Sequence, residues 1–552
     1  MNITTVANKI RQKIQTIDWQ LLIFLLLFLN VKLVVKVAAI ILIYILRTDF
    51  KMGFRLKNSR LPVFYLFVII IALFNWLISG MAGHLNYNLV FLTGLLFWLL
   101  CILAIHQVKL SVEKNDPAII HRTIFLFFII NAVVSIIVYF GIIIETGHIN
   151  PYRYQGNFQK YFIGTGDYIK GITLDTSTTN AILNAFGIIY FLLRKKYLPV
   201  LLCMLILLLT GSNVTNLILC IVLFYLFIGQ STKDQKSMIV VCLVMLVIFL
   251  ARVSPQNNRY ITTLYDRLFI DIPKEKPVYL DNTRITEKPD SILNGDEKKQ
   301  KIAQLYLDSI SRVIDKNEEK ISGGNLSVEP VTKIIEKPVI PKDSIHTPAF
   351  QHKNDTTVIE KNLLKFIYAR PLEVPIASTR KQNLHIPGKI FAMQQTLHYF
   401  KQHPLQLFTG TGIANFSSKL AFRVTAMKIA GGYPEKYSYI SNDFKSNHLD
   451  LYLYYFTNTE DLHSIANSPN STYDQLVSEY GMAGILCFVV FYIGFFMQRL
   501  KKRSYGFPLL LLLLGIFFID YWFEQLSVVI FFELLLFLNI KEAESKQIHE
   551  NG

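Results

Sequence analysis

Asn470 and Ser471, followed by Asp474 and Glu479, make a short polar series that runs straight into the apolar segment Ile485–Met497. His463 comes shortly before them, next to Glu460 and Asp461. Imidazole and carboxylate side chains exchange protons, so His463, Asp474 and Glu479 are the candidates for general acid–base work here. Asn470 has no nitrogen that titrates near neutral pH, but its amide can position a hydroxyl group. The same series also reads as a plain helix cap, and His463 as a solvated loop histidine. Ser471 and Asp474 have capping-box spacing, which predicts one helix that begins at the interface and continues into lipid. Gly481 and Gly484, three apart, are expected to share a helix face that another backbone approaches closely. Gly410-Thr411-Gly412 and Gly323-Gly324 read as turns as readily as phosphate loops.

The elements that must position this series are membrane helices. A chain of 552 residues with 52% apolar content and long runs of Leu, Ile and Phe is too hydrophobic for an ordinary soluble enzyme. The expected fold class is all-α, a polytopic transmembrane helix bundle of about twelve spans with one large external loop between spans nine and ten. Leu21–Leu46 contains Lys32 and Lys36, which are unfavourable in the middle of a span, so two short helices meeting near Asn30–Lys32 are expected there. Lys9, Arg11 and Lys13 precede this run with no small-residue cleavage site, which predicts an uncleaved anchor. Further spans are expected at Leu61–Ser79, Tyr87–His106, Thr123–Glu145, Thr178–Leu193, Leu198–Thr210, Val214–Gly229, Met238–Arg252, Glu479–Met497, Phe507–Ile519 and Tyr521–Asn539.

The net charge of +17 does not point to nucleic acid, because much of the Lys and Arg lies in short clusters between apolar runs, where it sets orientation. Clusters such as Arg47/Lys51/Arg55 and Arg194/Lys195/Lys196 alternate with loops that carry none, which predicts cytoplasmic termini and an external segment 254–478. The division that follows is an N-terminal bundle at 1–253, a flexible polar insertion at 254–386, an external helical loop at 387–478, C-terminal membrane helices at 479–540 and a cytoplasmic tail at 541–552. Within the insertion, Ile302, Leu305, Ile310 and Val313 have the spacing of one amphipathic helix. Ile390, Met393, Leu397 and Phe400 have it too, and are expected on the membrane surface or on the spans. All five cysteines lie in apolar segments, which disfavours disulfides and a Cys-based metal site. Glu145, Asp520 and Glu524, at or within spans, are functional candidates or outer-interface residues.

A small polar pair, nine residues and then Gly481-x-x-Gly484 at the head of a membrane helix resembles the bacterial O-antigen ligase and polymerase family. That family usually has His, followed by Asn, Ser or Gln, at the position of Asn470. Phe408-Thr-Gly410-Thr-Gly412 through Phe416 resembles the family's Gly-x-Gly-x-x-x-Phe turn, which precedes the His motif. The external loop Glu145–Ser177 is similar in having Arg153 ahead of Gly156-Asn157-Phe158. The family's Ser-Arg pair is Ser212-Asn213 here, so its second basic residue is missing.

The resemblance implies a multi-pass glycosyltransferase of the bacterial inner membrane, working on the external, periplasmic face. Its donor is a glycan on a polyprenyl diphosphate and its acceptor a lipid A-core or a growing polysaccharide, with membrane lipids as surroundings and no nucleic acid. Because the donor carries its own leaving group, no cofactor or metal is implied. Cations must hold the diphosphate; Arg153 is the first candidate because its planar fork fits phosphate oxygens, followed by Lys160, Lys170 and Arg423, with Arg252 and Arg259 also external. Arg153 reads equally as a lipid-headgroup contact. The resemblance assigns the catalytic motif to Asn470 and Ser471, leaves the base among His463, Glu460, Asp461, Asp474 and Glu479, and makes Gly410, Gly412, Gly481 and Gly484 its structural glycines. Lack of the His favours polymerase over ligase. Two other classes stay open: a transporter or flippase of lipid-linked glycans, which predicts charges at mid-span, and a membrane-anchored interaction protein.

Overall fold

The computed structural model describes residues 16–153, 166–229, 231–254, 301, 388–426, 432–449, 451–452, 468–501 and 504–551. Among them there are helices and turns but no strand. The insertion, the amphipathic pattern at 302–313, Gly323-Gly324 and the candidates Lys160, Arg259 and His463 lie outside the described residues.

The helices are α1 (Trp19–Phe28), α2 (Leu33–Leu46), α3 (Phe64–Ile78), α4 (Leu85–Lys114), α5 (Pro117–Thr146), α6 (Ser177–Leu193), α7 (Tyr197–Leu209), α8 (Asn213–Gly229) and α9 (Lys233–Val253). They continue with α10 (Gly388–Gln402), α11 (Gln406–Thr409), α12 (Lys419–Arg423), α13 (Asn442–Asn447), α14 (Thr472–Met497), α15 (Gly506–Ile516), α16 (Trp522–Gln525) and α17 (Ser527–Asn551). Four of these, α4, α5, α9 and α14, are long and apolar enough to cross a membrane; α1, α2, α3, α6, α7, α8 and α15 are shorter apolar helices. Local signals set many ends. Asp116 caps α5 ahead of Pro117, Gly147 closes it at φ 68°, Thr176 caps α6 through the Thr179 amide, and Thr232 forms a capping box with Gln235 on α9.

The chain divides into two compact units. The first takes Met1–Ile71, Leu95–Ile261 and Ala483–Gly552. Its α6 is buried almost throughout, as is the first half of α17, and Phe64, Tyr65, Trp98, Phe488, Tyr492 and Phe523 pack ring to ring. Two short helices do replace a single span at Leu21–Leu46, with the break where Lys32 and Lys36 require it. Lys36 is buried and donates to the Phe28 carbonyl at the end of α1 (2.8 Å) and to Ser527 Oγ (2.9 Å). An intact span would leave that carbonyl in helix; the break exposes it and the ammonium satisfies it.

The second unit takes Ala72–Gly94 and Thr262–Met482. Its α10 buries Ala392, Thr396, Tyr399 and Phe400, and Tyr399 and Phe400 cluster with Phe416. Of the apolar positions expected on one face of α10, Phe400 is therefore inside, whereas Ile390 and Leu397 are exposed. Asn75 donates to the Thr409 carbonyl, and Asn415 donates to Tyr87 Oη at 3.1 Å, holding the two pieces of the unit together.

Candidate functional site

The Gly410–Gly412 turn meets the backbone around Gly481 in the second unit. Thr411 N donates to Ser478 O at 2.9 Å and Gly412 N to Glu479 O at 3.0 Å, a short backbone pairing of turn against helix. Gly410 has φ 82° and Gly481 φ 66°, both in the left-handed region that a side chain disfavours. A Cβ on Gly410 would run into the Glu479 carbonyl, and one on Gly481 would lie 2.5 Å from Phe408 O. Gly412, also at positive φ, sits against Asn415 and Tyr87. Only residues lacking a Cβ let these backbones approach so closely.

This contact corrects two expectations. Gly481 leaves helical geometry within α14, so no straight helix runs from Thr472 to Met497, and Gly481 and Gly484 do not share a regular helix face. Gly484 is buried and belongs to the first unit. The capping box does not form either. Ser471 Oγ is buried without a hydrogen-bond partner among the described residues. Asp474 has turned instead to Thr396 Oγ1, which donates to its Oδ1 at 2.7 Å, and to His448 Nε2, 3.4 Å from its Oδ2. A buried carboxylate gains more from a hydroxyl and an imidazole than from one cap amide.

His448 is the residue that the sequence reading missed. It is fully buried, its ring lies 4.7 Å from that of Phe416, and its Nδ1 has no partner among the described residues. The tautomer is assigned from its neighbour: with Nε2–H directed at Asp474, the lone pair is on Nδ1. The signal available in sequence is the spacing of Phe444, His448 and Tyr452, a helical stripe that is buried here. Ser471 lies just ahead of α14 and Asp474 in its first turn.

The remaining candidates are placed as follows. Asn470 is buried, and its carbonyl accepts from Lys389 Nζ (2.5 Å), which also donates to Ser468 O (3.1 Å). Lys389 thus fixes the backbone just ahead of α14. Glu479 is buried beside the glycine pairing. Arg423 closes α12 in the second unit, with its Nε buried and without a partner among the described residues. Arg153 and Lys170 belong to the first unit. Arg153 is exposed and donates to the Arg252 carbonyl at 2.5 Å, which puts it beside another candidate cation. Burial pushes the Tyr399 hydroxyl up, so Tyr399 remains a donor, to Gln406.

The arrangement in the second unit is a carboxylate anchored by a hydroxyl, an imidazole held by the carboxylate, and a buried ring nitrogen unpartnered among the described residues, a set that can accept a proton. No family model, curated protein or solved structure matches the chain. The function must therefore be argued from the residues themselves.

Proposed function

We propose that the chain is a membrane glycosyltransferase of the O-antigen ligase and polymerase type. In this reading it moves a polyprenyl-diphosphate-linked oligosaccharide onto lipid A-core or a growing polysaccharide, at the external face of the bacterial inner membrane, through a bundle of about twelve spans. The observation that carries the reading is the pairing of the Gly410–Gly412 turn with Ser478–Gly481. These are the two landmarks on which the family resemblance rests, and their joining builds one polar site from segments that the sequence keeps apart. Arg423 is the cation of the second unit that this reading assigns to the diphosphate, where a planar guanidinium matches the phosphate oxygens, and Arg153, beside Arg252, is the candidate of the first unit. Polymerase remains the preferred assignment.

Deletion of the gene followed by gel analysis of surface polysaccharide tests the reading. Single-unit capped core without long chains indicates a polymerase, and polymer retained on the lipid carrier indicates a ligase. An unchanged polysaccharide profile contradicts both.

Movement of the same lipid-linked glycans across the membrane is favoured by one observation. Lys36 and Glu533 are ionisable and buried within the first unit. Both have local partners, Lys36 at the end of α1 and Glu533 accepting from Tyr65 Oη at 2.6 Å. Those contacts give each group a structural role, and the transfer reading is retained.

A further inference from the structure

We infer that His448 is the general base of the transfer reaction, oriented by Asp474, in place of the imidazole that the sequence lacks at Asn470. This rests on the glycosyltransferase reading and adds to it a residue outside the motif that prompted it.

Three observations carry the assignment. The first is burial with an unmet partner. His448 is 0% exposed and its Nδ1 has no hydrogen bond among the described residues. Leaving such an acceptor unpaired is costly, and a substrate hydroxyl removes that cost when it binds. The second is orientation. Asp474 takes Nε2 and is itself fixed by Thr396, so the ring is held with its basic nitrogen directed away from the carboxylate. The third is that Asp474 and Asn470, the polar groups nearest in the motif, do not suit the task of base. Asp474 already has both oxygens engaged, which suits an orienting group rather than a base, and Asn470 has no nitrogen that accepts a proton near neutral pH. Ser471 Oγ, just ahead of α14, is likewise buried and unpartnered among the described residues.

The step balances without a cofactor. The acceptor hydroxyl oxygen forms a bond to the anomeric carbon of the donor sugar, and the bond from that carbon to the diphosphate oxygen breaks. The lipid diphosphate leaves with the electron pair. The hydroxyl proton passes to His448 Nδ1, and the resulting imidazolium is stabilised by Asp474.

The test uses the purified full-length protein in lipid vesicles with a polyprenyl-diphosphate oligosaccharide as donor, measuring glycan transfer and donor binding separately. His448→Gln, which keeps much of the side-chain volume, is expected to lose about 10²–10⁴-fold in transfer rate while donor binding is retained. Asp474→Asn, isosteric, is expected to lose rate through misorientation of the ring. In His448→Ala, added imidazoles are expected to restore transfer, and the restored rate to rise with the basicity of the imidazole; a purely structural histidine gives no such dependence. Wild-type transfer by His448→Gln, or rescue independent of basicity, overturns the role of His448 and leaves the parent reading intact. If the wild-type protein gives no transfer and deletion leaves surface polysaccharide unchanged, the parent reading fails and this inference with it.

Discussion

Two histidine–carboxylate pairs, one in each unit, show how differently the same chemistry is used. In the first unit His121 Nε2 meets Glu542 at 2.7 Å and its Nδ1 meets Tyr190 Oη, while Glu542 also accepts from Arg194 (2.5 Å) and Tyr505 (2.8 Å). Every polar atom of that imidazole is used. In the second unit His448 reaches Asp474 through one nitrogen and leaves the other open. A satisfied network fixes helix ends, here tying α5, α6 and α17 together. A network with a gap is held at a free-energy cost to the fold, and such a cost is expected where a ligand completes the set. The contrast separates a clamp from a site more clearly than residue types do.

The comparison breaks most completely if the second unit cannot form. Gly481→Ala is expected to have the largest effect, because it combines positive φ with a backbone clash, each worth about 1–3 kcal/mol. The protein should lose its folded second unit, read as a large drop in thermal midpoint in detergent and loss of surface glycan. A variant as stable as the wild type would show that the glycine pairing is incidental.

Next comes Arg153→Ala, which is expected to abolish surface glycan with the protein level unchanged, because among the described residues its side chain makes an exposed donation to a carbonyl. Normal glycan in that variant removes Arg153 from the site. Asn470→His then sharpens the comparison within the second unit. Since His448 provides the imidazole, restoring the family residue should not accelerate transfer, and crowding at a buried position should slow it; a clear gain in rate would return the base to position 470.

How much of this was legible in sequence depends on the range of the interaction. The helices follow apolar runs, and the break at Asn30–Lys32 follows from two lysines inside one run, so both could be read directly. The Gly410–Gly412 turn was visible alone, whereas Gly481 read as part of a continuous helix. Their partnership was not, because Gly410 and Gly481 are joined only by tertiary packing. The misassigned cap has the same origin: Ser471 and Asp474 have the right spacing, but Thr396 and His448, distant in sequence, hold the Asp474 carboxylate. His448 carries no motif of its own, and only tertiary packing brings it to Asp474.

The smallest expected effect concerns the clamp. Glu542 lies beyond the apolar part of α17; burial alone would raise its pKa, but the His121 hydrogen bond and the charges of His121 and Arg194 outweigh it and hold the carboxyl at about 2. A depressed folded value means that the stabilisation is fully present above the ordinary carboxylate pKa and fades as pH falls toward about 2. Glu542→Gln should therefore lower the thermal midpoint modestly at neutral pH, with the difference from wild type shrinking in acid. A constant difference across that range would contradict the ion-pair account.

The most direct test of the contrast is the thermal midpoint of purified His448→Gln measured beside that of His121→Gln. The clamp variant disturbs two paired nitrogens and should be clearly less stable than wild type, whereas the His448 variant disturbs only the Asp474 contact and should fall much less. A fall in His448→Gln as large as that in His121→Gln would mean that both histidines are structural, and that the second unit holds no base in waiting.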